Sequence, residues 1–374
     1  MKILINASNL KQGGALQVTD SICHQLWRYP NHYFVVVLSS KFDMQDISST
    51  DNVIVYQYDI KNNLPTLLLG RDRFLDSLVK DKGIDVVFTV FGPSRWNPRC
   101  AHLSGFALSF LVMPESPYYL RMGKKDLLKA KCKNLLWRFF LQRSTHHFYT
   151  ENEMISQRLA RCIKGCNTYT VTNYYNQVFD SPENQVWKNL PEFTGKTFLT
   201  IANHYPHKNL EIAIPIAKYL TTRYPDFKFR FVFTIEASEF PKIDESLQDC
   251  FLFIGMVRIE ECPSLYQQCD VSFQPSLLEC FTATYPESMR MGIPIVTTDL
   301  KFAHGLCGDA ALYYDALSAD DAAEKLWRAS SEERVIESLR EKGFRQLLEY
   351  DNYEERTRKL IEICVSLAIN KNKI

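Results

Sequence analysis

The sequence predicts an α/β protein made of two doubly wound, parallel-sheet halves. Short runs of β-branched and aromatic residues alternate with segments of helical spacing. The alternation restarts after the polar stretch Asp180-Ser181-Pro182-Glu183-Asn184-Gln185. The length, 374 residues, is that of two domains at roughly 150 residues each.

In the first half, Lys2–Asn6 reads as a short buried strand. The loop Asn9-Leu10-Lys11-Gln12-Gly13-Gly14 follows, then a helix over Ala15–Tyr29 with Leu16, Ile22 and Leu26 at helical spacing. Tyr33–Leu38 and Val53–Tyr56 are strands, Arg73–Lys80 a helix and Asp85–Val90 a strand, as βαβ units on a parallel sheet require. In the second half, strand Thr197–Ala202 leads to helix Asn209–Arg223 and strands Lys228–Thr234 and Phe251–Ile254. Helix Pro263–Cys269, strand Val271–Gln274, helix Thr284–Met291 and strand Pro294–Thr297 come next. Gly292 stops a helix and Pro294 opens a strand, while Ser318 is an N-cap for Ala319–Ala329. Helices fill the rest of the chain. Such sheets bind ligands at the carboxyl ends of their strands.

Composition narrows the function classes. A content of 46% hydrophobic and 23% charged residues suits folded domains with sizeable cores. With 44 Lys+Arg against 43 Asp+Glu, the net charge of +1 argues against a whole-surface nucleic-acid field and against an acidic disordered chain. The 11 cysteines form no CxxC pair, and Cys162 and Cys166 lack a second pair or a His cluster. Buried, reduced thiols in a cytosolic protein are expected instead. Met1-Lys2-Ile3-Leu4-Ile5-Asn6 is too short an apolar run for a signal peptide, and no stretch reaches the ~18 apolar residues of a membrane span.

Three places could carry chemistry. Gly13-Gly14 lies between the first strand and first helix, where backbone N–H groups and the helix N-terminus can meet an anion. By itself it is equally an ordinary turn, and the residues after Gly14 break the GxGxxG dinucleotide pattern. Lys208, in His207-Lys208-Asn209, follows the first strand of the second half and could neutralise a diphosphate; alone it reads as a solvated lysine. Glu279 and Glu287 bracket a loop that opens a helix. Glu287 could accept bidentate hydrogen bonds from a ribose diol, and Glu279 could accept from sugar hydroxyls while backbone amides of Cys280, Phe281 and Thr282 face phosphate. As bare spacing, two exposed first-turn acids serving the helix dipole explain the pattern better.

The E-x7-E pattern of Glu279 and Glu287, continued by Ser288-Met289-Arg290-Met291-Gly292-Ile293-Pro294-Ile295-Val296 and later by Cys307-Gly308-Asp309-Ala310-Ala311-Leu312-Tyr313-Tyr314-Asp315, resembles the nucleotide-binding domain of glycosyltransferase family 4, the group 1 glycosyltransferases. The resemblance covers about residues 195–330 and is thinner before them. It implies the GT-B fold, two Rossmann-like domains facing a cleft. Residues 1–180 would form the acceptor-side domain, completed by a C-terminal helix at about 353–374, and 181–352 the donor domain. It further implies a retaining transfer from a nucleotide-diphospho sugar with no metal and no other cofactor; the sequence has no Asp-x-Asp. Glu287 would hold the ribose, Glu279 the donor sugar and Lys208 the diphosphate, with Gly13-Gly14 as the glycine loop. Lys208 and Glu279 are then the catalytic pair, and Asn203, Cys280, Phe281 and Thr282 complete the donor site.

The chain departs from the family at three points. Asn203 stands where an Arg is common five residues before the lysine, so one cation is missing, and His204 or His207 could replace it only if protonated. Cys280-Phe281-Thr282 replaces a glycine-rich loop. The first-domain His-Asp is absent from Ala107–Glu115, and His102 reads as a satisfied core histidine.

Residues 121–143 hold eight cations (Arg121, Lys124, Lys125, Lys129, Lys131, Lys133, Arg138 and Arg143) against one acid, with leucines, Trp137, Phe139 and Phe140 interleaved. A basic segment of this kind suits an anionic membrane surface or a lipid-diphosphate acceptor, approached through Lys124, Lys125, Lys129 and Lys131. It equally suits a surface helix packed on the first domain, whereas nothing supports nucleic acid as a partner. The expected protein is a cytoplasmic glycosyltransferase of cell-surface polysaccharide synthesis, O-antigen or capsule type, peripheral at the inner face of the membrane. The alternatives are a non-catalytic GT-B subunit binding nucleotide or a partner protein, and a nucleotide-sugar epimerase.

Overall fold

The computed structural model describes all residues except 12, 43–49, 62 and 372–374. Gln12 of the expected glycine loop and the last three residues of the expected C-terminal helix therefore lie outside the described residues. The chain forms two units. The first comprises Met1–Pro114, Gly123–Asn173 and Asp351–Ile374, and the second Glu115–Met122 and Tyr174–Tyr350. Residues beyond 173 join the second unit because Phe179 is fully buried there, edge-on to Tyr266 at 5.8 Å. Asp351 returns the chain to the first unit, where its N–H donates to Thr172 Oγ1 (2.6 Å) and its Oδ2 accepts from Thr172 N (2.9 Å).

Among the described residues the first unit holds a seven-stranded parallel sheet of β1 (Lys2–Ala7), β2 (Tyr33–Leu38), β3 (Val53–Gln57), β4 (Val86–Thr89), β5 (Ala101–Gly105), β6 (His147–Thr150) and β7 (Asn167–Thr170). Their order is β3-β2-β1-β4-β5-β6-β7. The uninterrupted apolar run Phe34–Leu38 is fully buried because both sheet faces are covered. Ile3, Ile5, Val36 and Phe88 pack towards Leu360 and Cys364 of the C-terminal helix (Tyr353–Lys371), while the alternating Leu4, Val35, Val37 and Val87 pack towards Leu75, Leu78 and Trp96. Each such fully buried side chain contributes about 1.5–3 kcal/mol. The helices are α1 (Gly14–Cys23), α2 (Arg73–Lys82), the single turn α3 (Ser109–Val112), α4 (Lys124–Ser144) and α5 (Glu153–Cys162).

The structure shortens one expected helix and bears out His102 as a core histidine. The helix expected over Ala15–Tyr29 ends at Cys23 and is followed by a 3₁₀ turn over Leu26–Arg28. Pro30 follows with no N–H to extend a helix and disfavours helical backbone at Tyr29, and the Asn52 amide holds the turn by donating to the carbonyls of Leu26 (3.3 Å) and Tyr29 (3.1 Å). The weakly polar stretch after Cys100 contains β5, whose polar residues are buried and satisfied. His102 Nε2 lies 2.9 Å from Thr89 Oγ1 and its Nδ1 2.8 Å from Ser144 O. Burial pushes its pKa down to about 4, so it is a neutral core histidine.

The second unit holds a six-stranded parallel sheet of β8 (Lys196–Thr200), β9 (Phe229–Phe233), β10 (Phe251–Phe253), β11 (Val271–Gln274), β12 (Ile295–Thr298) and β13 (Ala311–Tyr314), in the order β10-β9-β8-β11-β12-β13. Helices α6 (Ala213–Arg223), α7 (Cys262–Gln267), α8 (Thr284–Arg290), α9 (Lys301–Cys307), α10 (Ala319–Ser331) and α11 (Glu333–Leu347) complete it. Gly292 terminates α8 with a φ of 67°, as a helix-stop glycine requires, and Ser318 Oγ caps α10 by accepting from Asp321 N at 3.2 Å. In each sheet the strand order reverses beside the first strand, between β1 and β4 and between β8 and β11, which is where doubly wound sheets bind ligands.

Candidate functional site

The loops after β8 and β11 leave adjacent strands at the reversal point of the second sheet, and their side chains meet. Lys208 Nζ lies 2.6 Å from Glu279 Oε1, with both side chains mostly buried. The contact is a close ion pair rather than an aligned hydrogen bond, since Oε1 has no hydrogen-bond partner. The loops are also tied through their backbones, Leu277 N donating to His207 O at 2.7 Å. Beneath them Thr298 Oγ1 donates to Ser276 O (2.8 Å) and Thr297 Oγ1 to Gln274 O (2.9 Å), which fixes the start of the β11 loop.

Glu287 lies in the first turn of α8 and is 4% exposed. Its Oε2 accepts a 2.9 Å hydrogen bond from Tyr266 OH. Burial pushes the carboxyl up to about 7, and the Tyr266 hydrogen bond only partly opposes this. A buried carboxylate that is half-ionised near pH 7 costs stability, and together with its place in the first turn of α8 after β11 this marks Glu287 as a candidate binding group.

The remaining expected donor residues differ in placement. Cys280 is buried, while Phe281 and Thr282 are half-buried, with Phe281 edge-on to Tyr350 at 6.3 Å. Asn203 is exposed, and its carbonyl accepts from Tyr205 N at 2.9 Å. Neither histidine offers a spare cation. His204 Nε2 lies 3.1 Å from Glu211 Oε1, and burial lowers the pKa of His207 despite Glu279, leaving it neutral at pH 7. Gly13 and Gly14 belong to the first unit, at the carboxyl end of β1 beside β4. Gly13 has φ 75°, and a Cβ on either glycine would meet nothing within 4 Å, so backbone there is open to close approach.

Two contributors carry no signal in the sequence. Tyr266 reaches Glu287 from α7, and nothing in its spacing marks it. Residues 115–122 lie early in the chain yet belong to the second unit. There Ser116 Oγ donates to Leu277 O at 2.6 Å, Tyr118 stands edge-on to His207 at 6.2 Å, and Arg121 Nη1 donates to Asn209 Oδ1.

Lys124, Lys125, Lys129 and Lys131 are exposed on α4 in the first unit. That helix packs through one end and presents an exposed apolar face. Phe140, Leu141 and Ser144 are buried, whereas Leu128, Cys132, Leu135, Leu136 and Phe139, one helical face, are exposed. Cys132 is thus not among the buried thiols. Arg143 ties the end of α4 to the neighbouring turn Pro65–Leu69 by donating to the carbonyls of Leu67 (2.7 Å), Leu68 (3.0 Å) and Thr66 (3.1 Å), beside exposed Leu64, Leu68 and Leu69.

The geometry defines an α/β protein with two parallel sheets and a lysine–glutamate centre at the reversal point of the second. The family described as "Glycosyl transferases group 1" matches residues 195–331, a stretch that includes Lys208, Glu279 and Glu287. No curated protein matches the sequence. Solved structures similar to the chain include a glycosyltransferase from Rickettsia africae (11% identity, 98% of each chain covered, TM-score 0.67). Anabaena HepE in complex with UDP and glucose is similar at 14% identity over 98% of this chain and 100% of the other (TM-score 0.63). WaaG, a glycosyltransferase involved in lipopolysaccharide biosynthesis, is similar at 12% identity over 97% and 99% (TM-score 0.68). At such identities the likeness establishes the fold, GT-B, and the family match adds the class of enzyme: a glycosyltransferase.

Proposed function

We propose that this glycosyltransferase moves a sugar from a nucleotide-diphospho sugar to a glycan or lipid-linked acceptor, with retention and without a metal ion, in the synthesis of a cell-surface polysaccharide of O-antigen or capsule type. The observation that carries the reading is the 2.6 Å Lys208–Glu279 pair, with the buried carboxyl of Glu287 eight residues further on. Each group has a task suited to its surroundings. Glu287, held by Tyr266, accepts hydrogen bonds from the ribose diol. Glu279 accepts from donor-sugar hydroxyls and stabilises the positive charge that develops at the anomeric carbon. Lys208 exchanges its carboxylate partner for the diphosphate as the anomeric C–O bond breaks. The acceptor oxygen then bonds to that carbon, and its proton passes to the departing phosphate oxygen. The UDP and glucose bound by HepE and the involvement of WaaG in lipopolysaccharide biosynthesis support the substrate class and the pathway by analogy.

The acceptor side supports a peripheral position at the inner, cytoplasmic membrane face. No described helix is long and apolar enough to cross a membrane. The exposed Leu128–Phe139 face of α4, flanked by Lys124, Lys125, Lys129 and Lys131, offers both an apolar and a cationic contact to anionic lipid. The donor assignment is tested by Glu287→Ala. Nucleotide-sugar turnover should be lost while circular dichroism stays that of the wild type; turnover at the wild-type rate would overturn these roles.

A further inference from the structure

We infer that Arg121, from the segment 115–122, supplies a second cation for the donor diphosphate, in place of the one missing at Asn203. The inference rests on the proposed donor binding and adds a residue to it. The charge balance of the centre calls for such a group. Lys208 is matched by Glu279, and Glu287 adds a further carboxyl, so these three carry no net positive charge to attract a diphosphate. His207 is held neutral by burial, and His204 is engaged by Glu211.

Arg121 is placed to meet the need. Its segment is anchored at one end by Ser116, which bonds the Leu277 carbonyl two residues before Glu279 and also caps the 3₁₀ turn Pro117–Arg121 by accepting from Tyr118 N at 3.2 Å. Tyr118 against His207 holds the middle. At the other end the guanidinium meets the side chain of Asn209, the residue next to Lys208. Asn209 itself is pinned in left-handed backbone geometry (φ 53°, ψ 36°), with a buried Nδ2 that has no partner. A guanidinium has five N–H donors in a planar fork, and the Asn209 contact uses one. The side chain is exposed, so other donors can serve phosphate oxygens, to which arginine binds bidentately.

The test compares nucleoside diphosphates with monophosphates by calorimetry on the full chain, using UDP and UMP, GDP and GMP, and ADP and AMP. For the pair the wild type binds, Arg121→Gln should weaken the diphosphate about tenfold and leave the monophosphate nearly unchanged, as loss of a charge-assisted contact requires. Arg121→Lys should keep part of the preference. Thermal unfolding of both variants should match the wild type, since the side chain is exposed. An unchanged diphosphate-to-monophosphate ratio in Arg121→Gln overturns the inference and leaves the donor reading standing. Failure of the wild type to bind any of the six nucleotides overturns the donor reading, and the inference with it.

Discussion

Replacing Glu287 by Gln should stabilise the protein at neutral and alkaline pH while removing its function. In the folded chain the carboxyl is raised from an ordinary 4.5 to about 7 by burial. At about 1.36 kcal/mol per pH unit, the ionised form costs the fold roughly 3 kcal/mol. The sign follows from proton counting. Below pH 4.5 folded and unfolded chains both hold the proton, and the penalty is absent. Between 4.5 and about 7 the folded chain holds more protons, so stability falls as pH rises, and above 7 the full penalty applies. Gln keeps the shape and a hydrogen-bonding oxygen for Tyr266 without the titration. Urea unfolding of wild type and variant should therefore show a stability difference in favour of the variant that grows by roughly 2–3 kcal/mol from pH 5 to pH 8. A difference that stays flat across this range would refute the claim that Glu287 is buried as an ionisable cost. A gain in stability joined to a loss of turnover is the expected signature of a group kept for binding rather than folding.

Two further outcomes concern the first unit. Arg356 is buried, donates to Asn173 Oδ1 and, at 2.8 Å, to Ser21 Oγ, and its charge partly opposes the burial that raises the Glu151 carboxyl to about 7. Arg356→Met should cost about 3–5 kcal/mol of stability and more above pH 7 than below, and adding Glu151→Gln should recover part of it, as denaturant unfolding would show. Neutralising Lys124, Lys125, Lys129 and Lys131 together should reduce flotation with vesicles containing phosphatidylglycerol but leave unfolding unchanged, because all four are exposed; unchanged flotation would refute the membrane reading.

What the sequence discloses and what it hides follow from the range of the interactions. The strands Tyr33–Leu38 and Val271–Gln274 match the expected bounds because buried parallel strands are short, uninterrupted apolar runs. β5 escapes that rule, since His102 and Ser104 interrupt it and only the fold supplies His102 with Thr89 and Ser144 as partners. At the site, Glu279 and Glu287 are legible as a spacing, and the reversal of strand order brings Lys208 to Glu279 although they lie far apart in the chain. Tyr266 and Arg121 are not legible. Their roles depend on which loop tops lie together, and Arg121 sits in a segment that the order of the chain assigns to the other half. Its place among the cations of 121–143 suggests a membrane contact, whereas the fold sets it beside Asn209, next to Lys208.

Whether the Lys208–Glu279–Glu287 centre binds a nucleotide-diphospho sugar can be decided by calorimetric titration of the wild-type chain with UDP-, GDP- and ADP-sugars. At least one donor should bind, and Glu287→Ala should abolish this binding in a folded protein. Absence of binding by every donor, or equal binding by the variant, would show that the centre does not have this role.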